Sequence, residues 1–195
     1  MIHTKVLKSL MPIIMPPMTA WAQRMEREIF SYGKALSDSE ISDAIELGVM
    51  NPERVRYMIV DEIPLPAEEL AALAQQAGII DADTEGMAYR YGIFIRSDVK
   101  DKRLRLLHEL VHVAQYERLG EIRNFIREYV TACLDHGYAK SPFEIEARQK
   151  SQKLAAESSG QTRAFKEVVS EENTVSAECC EEPFLFGRHA GSRLL

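Results

Sequence analysis

The chain has 195 residues, 46% of them hydrophobic, which is enough for one compact domain with a tail and ordinary for a protein with a core. Its formal net charge is -6 and it contains no long basic run, which excludes nucleic acid and anionic membrane as first expectations for a partner. Three cysteines, two of them adjacent at Cys179 and Cys180, make no disulfide framework and fit a reducing compartment.

The N-terminal stretch "MIHTKVLKSLMPIIMPPMTAWAQ" has the outline of a secretory signal, with early lysines, a short apolar segment and Ala20-Trp21-Ala22. Pro12, Pro16 and Pro17 break that segment. Trp21, Met25, Ile29 and Tyr32 then recur at helical spacing, which predicts a helix over about 19 to 33, ending near Gly33. A cytoplasmic protein is expected, with secretion as the alternative, and no stretch is long enough to span a bilayer as a helix.

Ser37 and Glu40 have capping-box spacing and open a short helix with Ile41, Ala44 and Ile45 on one face. "ERVRYMIV" is rich in β-branched and aromatic residues and predicts a strand over about 54 to 61. "AEELAALAQQAG" predicts a helix ending at Gly78. "GMAYRYGIFIRS", residues 86 to 97, alternates like a strand, and Gly92 marks a bulge or a close backbone approach. A helix ending at Gly120 follows. In the next helix Ile122, Phe125, Ile126, Tyr129, Val130 and Cys133 form one apolar stripe. After a loop with Gly137, "SPFEIEARQKSQKLAAE" begins a last helix. From about 157 serine, glutamate and threonine dominate, and a mostly disordered tail is expected. The predicted organisation is an N-terminal helical segment over 1–50, a core over 51–156 and a tail over 157–195, in a mainly helical α+β class with a small antiparallel sheet.

"LLHELVHVAQ", residues 106 to 115, sets two histidines and an acid into an otherwise apolar helix. On a helix, positions i and i+4 share a face, so His108 and His112 point the same way and can grip one zinc ion. Glu109 is placed to act on a water at the metal as general base. Three buried polar groups are costly unless something compensates them, and a divalent cation compensates all three. Zinc then needs a third protein ligand. A third histidine in H-E-x-x-H-x-x-G-x-x-H is ruled out, because Gln115 and Arg118 occupy the glycine and histidine positions. Glu144 and Glu146 in "SPFEIEAR" remain. Ser141, Pro142 and Glu144 have the spacing of a capping box, which would occupy Glu144 and leave Glu146 as the favoured ligand. The imidazole of His136 is a further alternative.

With "YGIFIR", "HELVHVAQYERLG" and "SPFEIEA", the chain resembles zincin metallopeptidases of the glutamate-ligand type, the gluzincins. More narrowly it is similar to small bacterial H-E-x-x-H domains related to core domains of contractile-injection-system cargo. The resemblance covers about residues 50 to 150. It implies a minimal zincin-like domain, with His108, His112 and Glu146 as zinc ligands, Glu109 as base, and a peptide or protein as substrate. One departure is that an acid often found four residues after the ligand glutamate is Lys150 here. The ligand histidines must then be oriented from elsewhere, with Gln115 and Gln149 as candidates. Tyr138 is the favoured donor to the oxyanion, and Tyr129 is expected to pack in the core. The strand over 86–96 is placed to pair with an extended peptide. The rival expectation is a non-catalytic zinc-binding module, in which the metal staples the fold or presents a surface.

Overall fold

The computed structural model describes residues 4–76 and 83–175, with side chains through 158. Residues Met1–Ala156 form one compact unit and Glu157–Leu195 another. The elements of the first are α1 (Thr4–Tyr32), β1 (Lys34–Ala35), α2 (Asp38–Glu46), β2 (Arg56–Val60), α3 (Glu68–Gln76), β3 (Gly86–Tyr89), β4 (Gly92–Arg96), α4 (Lys102–Leu119), α5 (Ile122–His136) and the start of α6 (Pro142–Val175). The mainly helical α+β class is thus borne out.

The sheet order is β1-β2-β4-β3. The expected antiparallel sheet is in fact mixed: β1 with β2 and β3 with β4 are antiparallel, whereas β2 and β4 run parallel. The central strand β4 accounts for the difference. Ile93, Phe94 and Ile95 are all buried, the continuous apolar run of a strand covered on both faces. The single strand expected over 86–97 is a hairpin. Arg90 and Tyr91 make its turn, Arg90 at φ 59°, and Tyr89 pairs with Gly92. Gly92 does mark a close approach: a Cβ there would meet Ile29 Cδ1 at 2.9 Å and the Glu26 Cα at 3.3 Å, where α1 crosses the sheet.

α1 starts well before the expected helix and carries Pro12, Pro16 and Pro17 inside it. Each proline removes one backbone donor. The helix is held by burial instead: Leu7, Met11, Met15, Ala22, Met25 and Ile29 form its inner face, and it packs on α5, the sheet and α3. The N-terminal segment is therefore part of the same unit as the core. The Ser37–Glu40 capping box of α2 is present on both of its hydrogen bonds.

α4 is capped by Asp101, whose side chain accepts from the Leu104 N–H at 2.9 Å, and it ends at Gly120 with φ 83°. Residues 106 to 116 are all buried, against β3 and β4 on one side and α5 on the other. Its outer end is tied down by Glu117, which accepts from the backbone N–H groups of Met50 and Asn51 at 2.6 and 3.0 Å. α6 begins at Pro142 and continues to Val175, so the part of the expected tail over 157–175 is helical. Strong helix formers such as Ala, Glu, Gln, Lys and Arg are frequent there. Gly78, Cys179, Cys180 and "PFLF" lie outside the described residues.

Candidate metal centre

The buried turn of α4 faces the first turn of α6. His108 and His112 are each 7% exposed, and their Nε2 atoms lie 3.2 Å apart. The carboxylate of Glu144, 1% exposed, straddles them: Oε1 is 3.1 Å from His112 Nε2, and Oε2 is 3.4 Å from His108 Nε2. Among the described residues, these three form the group of buried ligand-type side chains close enough to share an ion.

Glu146, the expected third ligand, is not brought to the histidines. It is the partner of Arg118, which donates to both of its oxygens at 2.8 and 2.7 Å, of Lys150 at 2.9 Å, and of Gln115 at 3.0 Å. The capping argument that set Glu144 aside fails for a local reason. The Ser141 N–H, which the capping box requires, already donates to the Tyr138 carbonyl at 3.1 Å in a short 3-10 turn. A better signal lay in the spacing of α6. Glu144, Ala147, Ser151 and Leu154 follow one another at helical intervals and are all buried, which puts Glu144 on the inner face and turns Glu146 outward. His136 is exposed at the end of α5 and takes no part.

Gln115 is the orienting partner that the sequence left open. Its side-chain amide donates to the Phe143 carbonyl and to Glu146 Oε2, each at 3.0 Å, which fixes the amide so that Oε1 faces His112 Nδ1 at 2.8 Å. An amide oxygen only accepts, so Nδ1 carries the hydrogen and Nε2 of the neutral ring presents a lone pair to the site. Tyr129 packs in the core, stacked on Phe125, but its hydroxyl also donates to Glu144 Oε1 at 2.8 Å. That second role was not foreseen.

Burial alone would raise the Glu144 pKa; the two imidazoles beside it, in their protonated form, overcome that and hold the carboxyl far below its ordinary range. Burial would likewise lower the His112 pKa, but Glu144, Glu109 and Gln115 outweigh it and move it up. Burial raises the Tyr129 and Tyr138 hydroxyls well above their ordinary value, with Glu144 adding to both, so each is a protonated donor at neutral pH.

These residues fit a divalent cation. Two imidazole nitrogens and a carboxylate converge within 3.4 Å of one another, and Glu144 Oε2 is buried without a hydrogen-bond partner. Ligand atoms around a tetrahedral zinc with bonds of about 2.0–2.1 Å are separated by roughly 3.3 Å, which matches the 3.1–3.4 Å contacts seen. Two nitrogens and a carboxylate are also the donor set of a catalytic zinc with a position left open.

Glu109 lies beside this group, 2% exposed, with Arg105 Nη1 3.7 Å from its Oε1. Gly86 of β3 backs against it, and a Cβ there would stand 2.8 Å from Glu109 Oε1. Tyr138 stands at the mouth, 38% exposed, and lines the same cavity as His108, Glu109, His112 and Glu144. Comparison of the chain with protein-family models, curated proteins and solved structures finds no match.

Proposed function

We propose that the chain is a zinc-dependent peptidase of the glutamate-ligand type, with His108, His112 and Glu144 as ligands and Glu109 as general base. The observation that carries this reading is the buried His108–His112–Glu144 group with a second, separate carboxylate beside it at the head of an accessible cleft. Bound zinc would acidify its water and polarise a scissile carbonyl.

The remaining work falls to side chains of this chain. Glu109 accepts the proton of the attacking water and passes it to the departing amine. Arg105, one turn earlier on α4, stands with Nη1 3.7 Å from that carboxylate. Tyr138 donates to the oxyanion as it forms. β3 lies at the sheet edge, and its pairing with β4 leaves the backbone groups of Gly86 and Ala88 on the outer side. The Ala88 carbonyl there is taken by the Tyr116 hydroxyl at 3.3 Å. Gly86 is thus the point at which an extended peptide would pair next to Glu109.

The test combines metal analysis of the purified chain with cleavage of a peptide library. About one zinc per chain is expected, with cleavage that a chelator stops. A Glu109→Gln variant should keep its zinc and lose hydrolysis by about 10²–10⁴-fold, the usual share of a general base. A zinc-loaded parent protein that cleaves nothing across the library would instead identify the centre as a structural staple.

A further inference from the structure

The metal centre sits between two unlike spaces. On one side is an open groove lined by charged side chains, among them Glu85, Asp98, Lys100, Arg105 and Arg148. On the other is a largely apolar cavity that reaches from His112, Glu109 and Tyr138 toward α1 and α5. Its far wall is made by Met18, Trp21 and Ala22 of α1, Ile126 and Val130 of α5, and Met87 of β3. No member of that wall carries a charge. The indole N–H of Trp21 is buried and has no acceptor among the described residues.

This inference rests on the peptidase reading and names the substrate within it. We propose that the α1–α5 cavity is a specificity pocket that seats one aliphatic side chain, of leucine, isoleucine or methionine size, from a residue flanking the scissile bond. Three features lead there. The wall offers only apolar contact, so a charged side chain would lose its hydration without replacement. The cavity measures about 90 Å³, smaller than the roughly 150 Å³ of an engineered apolar cavity that admits benzene, which favours an aliphatic side chain over an indole. The Trp21 N–H provides a donor that a peptide carbonyl entering with the side chain would satisfy. α1 thereby takes a part in recognition that its distance in sequence from the motif helix conceals.

The experiment uses the zinc-loaded full chain carrying Glu109→Gln, so that peptides bind without turnover. Four peptides identical but for leucine, alanine, tryptophan or aspartate at one position are titrated, and binding is followed on the methyl resonances of labelled methionines. The leucine peptide is expected to bind at least about tenfold tighter than the other three, the order expected for a few apolar groups in a pocket. Met18 and Met87 are expected to shift with it. Val130→Phe, which fills the cavity, should erase the leucine advantage at unchanged zinc content. Met18→Ala, which enlarges it and is safer for folding, should move the preference toward the larger side chain. Equal binding of all four peptides, or a leucine preference untouched by both variants, overturns the pocket. Cleavage by the parent protein separates the two readings. Zinc-dependent cleavage with no side-chain preference removes the pocket and leaves the peptidase. A leucine preference in binding with no cleavage of any peptide removes the peptidase and leaves the pocket.

Discussion

The start of α6 carries two glutamates two residues apart, and they end in opposite surroundings. Glu146 is half-buried and saturated: two guanidinium nitrogens of Arg118, the ammonium of Lys150 and the amide of Gln115 occupy its lone pairs. Glu144 is buried against two imidazoles, with the Tyr129 hydroxyl on one oxygen and no hydrogen bond on the other. The nearest guanidinium, that of Arg148, is 3.6 Å away. A carboxylate with cations around it is already neutralised and has little to offer a metal. A buried carboxylate set between two imidazole nitrogens, with one oxygen lacking a hydrogen bond, still has a position to offer a cation. On the proposed reading, the residue with the less complete set of partners is the ligand, and the well-paired one supports it through Gln115.

Substitution of each should separate them. Glu144→Ala removes a ligand and is expected to weaken zinc binding by more than about 100-fold, beyond what loss of an outer partner costs. Glu146→Ala should cost about 10-fold, through a loosened Gln115. Competition with a chelating dye reads both values, and equal losses would return Glu146 to the ligand set. Gln115 falls between them. Gln115→Leu should cost about 10–100-fold in zinc affinity, whereas Gln115→Glu, which keeps an acceptor on His112 Nδ1, should recover most of it. In metal-free protein, ¹⁵N spectra of the ring should show the Nδ1–H form of His112, and that signature should weaken in the leucine variant. A separate effect, on turnover rather than on zinc, is expected at Gly86. A methyl group there meets Glu109 Oε1 and Arg105 Cδ, both at 2.8 Å, and displaces the base. Gly86→Ala should lower kcat by up to about 100-fold while zinc content stays that of the parent.

The two glutamates also mark where the sequence was readable. His108, Glu109 and His112 could be placed because i, i+4 geometry within one helix is local, and because an apolar helix makes buried polar groups conspicuous. The helix ends at Gly120 and Gly137 and the Ser37–Glu40 cap were readable for the same reason. Choosing between Glu144 and Glu146 depended on which face of α6 meets α4. A local capping rule favoured Glu146, but the capping box it assumed is absent, because the 3-10 turn before Ser141 uses its N–H. The parallel pairing of β2 with β4, the run of α1 through three prolines, and the contribution of Met18 and Trp21 to the cleft are all contacts between distant segments, and no short spacing encodes them.

The smallest effect lies at Glu146 itself. Hydrogen bonds from Arg118, joined by Lys150 and Gln115 and opposed by partial burial, hold its carboxyl at about 2 against an ordinary 4.5. A carboxyl whose pKa is depressed in the folded state contributes stability above its unfolded pKa, and that contribution is lost as pH falls from about 4.5 toward 2. Because the pair is partly exposed, water and salt screen it, and its worth at neutral pH should stay below about 1 kcal/mol. The melting temperature of the parent chain should therefore exceed that of Glu146→Gln slightly at pH 6, and the gap should shrink toward zero by pH 2 as the carboxylate is protonated. Added salt should shrink it as well, since the charges of Arg118 and Lys150 face solvent. A gap that widened on acidification would mean that Glu146 is held in place by its uncharged form, and the salt-bridge account of its exclusion from the metal centre would then be wrong.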